Sequence, residues 1–434
     1  MKISQIYIYP IKSLRGVPVS SAEATRTGFK YDRRFMLLKV VPAEGAEGGT
    51  TLKNMHVPHF PEMALFQTEL LLPGSGSSSD DSQGRVRVTF KGGERGEKSL
   101  STPTPNGRVT RSLSANGHGG KAEPGLGGTT LDIPLTPDTR GLEELAVMMH
   151  KSPTKGYNMG ARCNAWFSER FGYDVVLAYL SEENWRGVLG TFPPAKHFAH
   201  KAYLGSSPWA TATATVRDPW IVIAGFVLVA VLAVVLELRS GLTVFANKTV
   251  QLVSGALIMG GYLGWFYIRG EQLKNERITF ADAAPYMVVS ETSVANVSER
   301  LEGEEMDVRK FRANVVVEGA ETAFEEDFWA ELVVGKSEDK KSGVRLLLTA
   351  NCVRCRSLDV DYATGKMGEG ESGKVLKKLM ADRRVDSGAK YSPVFGRYGF
   401  LVARSDSKTV RVGDEVVVAR RMQERSVYDW PGLA

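Results

Sequence analysis

The chain has 434 residues, enough for two or three domains, and its 43% hydrophobic and 24% charged content is that of an ordinary folded protein rather than a fibrous or disordered one. A formal net charge of +6 suits an anionic ligand but is too modest to argue for nucleic acid, and no nucleic-acid partner is expected. Three cysteines, Cys163, Cys352 and Cys355, exclude a disulfide framework, fall short of a four-thiolate zinc site and point to a reducing compartment.

From the N-terminus, "KISQIYIYP" is rich in Ile and Tyr and stops at Pro10, which predicts a short strand closed by a turn. Met1 to Tyr9 lacks the basic region and apolar run of a secretory signal, so these residues read as part of the fold. "RRFMLLKVV" predicts a buried strand over about Phe35 to Val41, and "MALFQTELLL" and "RVRVTF" carry the β pattern through Phe90. Between Pro73 and about Thr130 the sequence turns to Gly, Ser, Pro and charge, the composition of a disordered insertion. "GARCNAWFSERF" spaces Ala161, Ala165, Trp166 and Arg170 at helical period, with Cys163 as a core residue, and "YDVVLAYL" predicts a buried strand after it.

Trp220 to Leu238 and Thr249 to Ile268 are each about the twenty apolar residues that cross a hydrocarbon core, with Glu237 the charge inside them. The short link between them carries Arg239 and Lys248, which predicts a two-helix transmembrane hairpin over 218–270 that returns the chain to its starting side. Arg217, Arg269, Lys274 and Arg277 on the outer flanks predict cytosol-facing domains. Beyond the hairpin, "DAAPYMVVSETSVANVSERL" predicts a loop, a strand and a helix opened by Ser290, with Glu291 and Ser293 in its first turn. "FRANVVVEG", "AFEEDFWAELVVG", "SGVRLLLTANCVRC", "YGFLVARS" and "TVRVGDEVVVARR" add short strands separated by Gly and Asp, with Trp329 as core. That spacing argues for a small closed β domain. No GxGxxG, GxxxxGK[ST] or HExxH occurs, so nucleotide and zinc-protease motifs give no support.

Cys352-Val353-Arg354-Cys355 follows a predicted strand and allows several readings. A zinc site needs a second ligand pair that the six histidines do not supply at recognisable spacing. A thioredoxin-like pair needs a helix directly after it, whereas "RSLDVDYATG" runs into a strand and turn. One thiolate on a soft metal completed by a cofactor is a third reading, with Arg354 and Arg356 favouring the thiolate, and two buried structural cysteines are the plain alternative.

"YPIKSLRGVPV", "YDRRFMLL", "DAAPYMVVSE", "KFRANVVVEG", "NCVRCRSLDVDYATG", "YSPVFGRYGFL" and "VRVGDEVVV" occur here in one order, covering most of Met1 to Phe66 and nearly all of Arg277 to Ala419. In that order they resemble the MOSC-domain family that includes the mitochondrial amidoxime reducing component. The resemblance implies a molybdenum–molybdopterin cofactor whose metal is held by Cys355 together with the pterin dithiolene. It places Lys12 and Ser13 at the pterin phosphate, Arg34 and Arg312 at phosphate or pterin oxygens, and Arg354 and Tyr398 beside the metal. Asp282 falls at the cofactor and is the candidate proton relay. The family often follows it with a hydroxyl residue, whereas this chain has Ala283. Without the resemblance, each Arg or Lys reads more simply as a solvated surface charge.

The resulting expectation is an α+β, mainly β protein. It has a MOSC N-terminal β-barrel-like region over 1–200 with a disordered insertion at about 73–130, the transmembrane hairpin at 218–270, and a MOSC β-barrel domain over 275–434. The implied activity is reduction of small N-hydroxylated compounds such as amidoximes and hydroxylamines. With no dinucleotide fingerprint and too few cysteines for an iron–sulfur domain, the electrons are expected from another protein, and the resemblance implies a b-type cytochrome and its NADH-dependent flavin reductase. The hairpin implies membrane lipid as a partner and an integral protein of the mitochondrial outer membrane or endoplasmic reticulum, where the family pattern has a single N-terminal anchor. The alternative is a non-catalytic MOSC module carrying sulfur or the cofactor. No pyridoxal-phosphate desulfurase domain accompanies it, and pyridoxal phosphate is not expected.

Overall fold

Ile and Tyr divide the first strand, Lys2–Ile8, between two cores. Ile3, Ile6 and Ile8 pack on one side with Trp329, Leu332 and Leu348, while Tyr7 faces the opposite core with Val289, Phe311 and Phe395. A register shift between Ile3 and Gln5 lets Ile3 share the face of Ile6 despite their odd spacing. The computed structural model describes residues 1–43, 49–73, 84–92, 129–150, 152–187, 277–335, 343–402 and 405–428. Among them the largest sheet has eight strands in the order Val17–Val19, Lys2–Ile8, Val315–Glu318, Tyr286–Ser290, Val394–Leu401, Val344–Val353, Trp329–Val334 and Val416–Arg421.

Tyr286–Ser290 is buried along its whole length because both sheet faces are covered, with Tyr286 and Val288 on one side and Met287 and Val289 on the other. It runs parallel to Val315–Glu318, and helix Glu291–Glu299 makes the crossover. Ser290 opens that helix as expected, its hydroxyl accepting from the Ser293 amide at 3.2 Å. The other pairings in this sheet are antiparallel.

A second sheet of five strands takes the order Glu144–Met149, Ser152–Asn158, Val175–Tyr179, Phe35–Pro42 and Thr50–Asn54. Helix Ala161–Phe171 buries Cys163, Trp166 and Phe167 in the core beside it and ends at Gly172, whose left-handed φ of 77° lets the chain turn back. Within the expected insertion, Arg85–Phe90 is a strand between Phe66–Leu71 and Thr130–Pro134. Residues 74–83 and 93–128 of that insertion lie outside the described residues.

The two-helix transmembrane hairpin is not supported, and the fold reading is corrected to a mainly β architecture without it. Among the described residues no helix is long and apolar enough to cross a membrane. The longest, Ala161–Phe171, has 11 residues and spans roughly 16 Å against a hydrocarbon core of about 30 Å. The segment expected to form the hairpin, 218–270, lies outside the described residues.

Candidate functional site

The end of the first strand is tied to the second sheet. Phe35 N–H donates to the Pro10 carbonyl at 3.1 Å, and Lys12 N–H donates to the Phe35 carbonyl at 2.8 Å. This places the turn carrying Lys12 and Ser13 at the junction of the two sheets. Ser13 takes a left-handed φ of 70°, and its hydroxyl donates to the Met55 carbonyl at 3.4 Å. The loop before Tyr286–Ser290 reaches the same junction, where Phe280 N–H donates to the Arg33 carbonyl at 3.0 Å. Arg186, fully buried, props that loop by donating to the carbonyls of Thr279 (3.0 Å) and Ala281 (2.6 Å). Asp282 follows directly.

Lys12 and Asp282, 270 residues apart, meet there: Lys12 Nζ donates to Asp282 Oδ1 at 2.5 Å. His150 Nε2 lies 3.1 Å from the same oxygen, and the His56 ring centre is 6.2 Å from that of His150. The Asp282 side chain is 48% exposed, whereas that of Lys12 is 4% exposed. Asp282 is thus reached by solvent while its lysine partner is not. Burial works to raise its pKa, yet Lys12, the His150 hydrogen bond and His56 hold it well below the ordinary carboxylate range. Burial pulls the Lys12 ammonium down to about 8 although Asp282 opposes the shift. His56 is pushed down to about 4 by burial and then by the Lys12 charge, so it is a neutral ring at physiological pH.

The cysteines of the CxxC part company. Cys352 is 2% exposed and belongs to the core of Phe311 and Phe395, and burial raises its thiol pKa. Cys355 is exposed, with its Sγ 3.3 Å from Ser357 Oγ. It precedes a single 3-10 turn, Arg356–Asp359, and then the short strand Val360–Asp361, rather than an α-helix. Arg354 points back from Cys355: its Nη1 donates to Cys352 Sγ at 3.3 Å and its Nη2 to the Phe311 carbonyl at 2.6 Å. Arg312, at a left-handed φ of 58°, donates to the Leu14 carbonyl at 2.7 Å and lies 4.5 Å over the Tyr9 ring. Arg312 Nη2 and Arg354 Nε are buried and have no hydrogen-bond partner among the described residues. Tyr398 lies opposite Met287 and Ala350 in the sheet, and its hydroxyl is raised well above its ordinary pKa by burial and by Cys352 and Asp282.

The structure therefore brings Lys12 to Asp282 and sets Arg354 and Tyr398 beside Cys352. Arg34 faces elsewhere. Its guanidinium donates to the Leu180 carbonyl (2.9 Å) and Tyr179 hydroxyl (2.8 Å) and stacks 4.5 Å over Trp185. The neighbouring Arg33 takes the inward position, over Tyr9 and bonded to Asn314 Oδ1 at 3.2 Å and the Arg312 carbonyl at 3.2 Å. His56, His150, Arg33 and Arg186 were not singled out from sequence. No local pattern marks them, because each reaches the site from a separate element.

Residues 275–417 match the MOSC domain and residues 1–124 match the MOSC N-terminal beta barrel domain. The chain is 37% identical over 144 residues to mitochondrial amidoxime reducing component 2 of Bos taurus, covering 33% of this chain and 39% of that relative. It is 32% identical over 145 residues to mitochondrial amidoxime-reducing component 1 of Homo sapiens, covering 32% and 39% respectively. The alignments thus span well under half the length of these relatives. Their names are mitochondrial, but the expectation of an integral membrane protein is corrected together with the hairpin, since no described helix is fit to cross a bilayer. The two domain matches and these relatives together identify the chain as a member of the MOSC-domain family, resembling the amidoxime reducing components.

Proposed function

We propose that this chain is a molybdenum-cofactor oxidoreductase that reduces N-hydroxylated compounds, amidoximes and hydroxylamines among them. The observation that carries the reading is one exposed thiol, Cys355, at the end of its strand, together with buried guanidinium atoms that have no acceptor among the described residues, Arg312 Nη2 and Arg354 Nε. A buried donor left unpaired costs about 1–3 kcal/mol, and an anionic, oxygen-rich group such as a pterin phosphate would remove that cost. A soft thiolate is also the ligand type that suits molybdenum. The residues present fit the cofactor.

In this reading Cys355 ligates the metal, while Lys12, Ser13, Arg312 and Arg354 hold the pterin and its phosphate. When bound, the cofactor supplies two-electron redox chemistry and a site for oxygen transfer. The protein's own part is to orient ligand and substrate and to supply polar groups beside the reacting N–O bond. Asp282 is the proposed acidic group there, kept charged by Lys12 and half-exposed to solvent. A b-type cytochrome with its NADH-dependent flavin reductase is the proposed electron supply.

The test is to purify the chain with cofactor, measure molybdenum and pterin, and assay benzamidoxime reduction with a supplied electron donor. Bound cofactor with turnover supports the reading. Bound cofactor without turnover favours a carrier, and absence of both refutes it.

A further inference from the structure

Asp282 presents its two carboxylate oxygens unequally. Oδ1 accepts from Lys12 Nζ at 2.5 Å and from His150 Nε2 at 3.1 Å. A carboxylate can only accept, so Nε2 of His150 is the protonated nitrogen. Oδ2 has no partner among the described residues, and the side chain is 48% exposed. His150 reaches this position from the tip between Glu144–Met149 and Ser152–Asn158, where it adopts a left-handed φ of 48°. A non-glycine residue bears backbone strain there, and such strain concentrates at working sites.

We infer that His150 is a positioning residue: with Lys12 it pins Oδ1 of Asp282 and so turns Oδ2 towards the O–H or N–H donors of the N-hydroxylated substrate. The inference rests on the N-reductase reading and adds to it the group that fixes the substrate-facing acceptor. An amidoxime carries both an O–H and N–H groups, the complement of a carboxylate with one oxygen free. The charged and titratable groups facing the Asp282 carboxylate are Lys12, His56 and His150, with Arg33, Arg186, Tyr398 and Cys352 acting from the surrounding elements. His56 is neutral at physiological pH, with its ring centre 6.2 Å from that of His150, so it does not supply the ion pair to Asp282.

The experiment uses the cofactor-loaded chain and compares His150→Asn, His150→Gln, Asp282→Asn and the double variant His150→Asn with Asp282→Asn. Asn tolerates the left-handed backbone but is too short to replace Nε2, whereas Gln can restore a donor near that position. The expected result is a rise of about tenfold in KM for benzamidoxime in His150→Asn, the effect of one hydrogen bond, with kcat nearly unchanged and molybdenum, pterin and melting temperature held. Gln rescues most of the loss, and His150→Asn adds nothing once Asp282 is Asn. In the cofactor-free chain, 15N NMR of the histidines should show Nε2 of His150 protonated, with its hydrogen-bonded signature lost in Asp282→Ala.

Unchanged KM in His150→Asn, failure of Gln to rescue, or full additivity with Asp282→Asn overturns the inference alone. Absence of benzamidoxime reduction by the loaded wild type overturns the reading beneath it, and the inference with it. If every His150 variant fails to fold, the NMR signature decides, and its persistence in Asp282→Ala refutes the pinning.

Discussion

Glu326 is fully buried at the foot of the crossover helix, and replacing it with Gln should remove a large part of the protein's pH-dependent stability. Its Oε2 accepts from Ser290 Oγ at 3.0 Å and Ser293 Oγ at 2.8 Å, while its Oε1 is buried with no partner among the described residues. Burial, reinforced by Asp327 and opposed by the serine hydrogen bonds, raises its pKa from near 4.5 to about 7. The neutral acid is thus the form that the fold prefers. Between these values the folded chain binds more protons than the unfolded chain, so stability is fully present below about 4.5 and is lost as pH rises towards about 7. A shift of this size corresponds to about 3 kcal/mol. Glu326→Gln keeps an oxygen acceptor for the two serines without the charge, so it should match wild type near pH 4.5 and exceed it by up to that amount at pH 8. Denaturant midpoints of both proteins across this range measure the gap. A gap that does not change with pH would refute the assignment of this titration to Glu326.

The remaining predictions concern the site. Lys12→Ala and Arg312→Ala should lower pterin and molybdenum content in the purified protein, because each removes a buried cationic donor to an anionic ligand; normal content in both would remove these residues from the cofactor's contacts. Arg34→Ala should act on stability instead, lowering unfolding free energy by about 1–3 kcal/mol as the buried Leu180 carbonyl and Tyr179 hydroxyl lose their donor, and a selective loss of pterin without destabilisation would restore Arg34 to the cofactor. Trp166→Ala should cost about 3–5 kcal/mol through the cavity left beside Phe66 and Phe167, measured by the same denaturant titration.

Local elements were readable where one side-chain pattern decides them. Ser290 before Glu291–Glu299, the apolar run of Tyr286–Ser290 and the helical spacing of Ala161, Ala165, Trp166 and Arg170 in Ala161–Phe171 all carry their cause within a few residues. What could not be read is pairing at long range. Nothing in "KISQIYI" says that it will lie against Val315–Glu318, and nothing near Lys12 names Asp282 or His150 as its neighbours. The choice between Arg33 and Arg34 fails for a related reason. They are adjacent at a turn where Tyr31 and Arg33 take left-handed φ values of 71° and 51°, with Arg33 over Tyr9 and Arg34 over Trp185, and side-chain identity alone does not tell the two apart. The two cysteines are separated by burial alone: Cys352 is the last inward residue of its strand and Cys355 lies just beyond the strand's end.

That separation also gives the most direct test, which is to measure molybdenum, pterin and benzamidoxime reduction in Cys355→Ala, Cys355→Ser and Cys352→Ser beside a thermal melt. Because Cys355 is exposed, its variants should melt like wild type. They should nevertheless lose turnover, since Ala supplies no ligand and Ser a harder one. Cys352→Ser should keep cofactor and much of its activity. Full turnover by Cys355→Ala, or joint failure of the Cys352 and Cys355 variants through unfolding, would contradict the thiolate-ligand account and leave the CxxC a structural role.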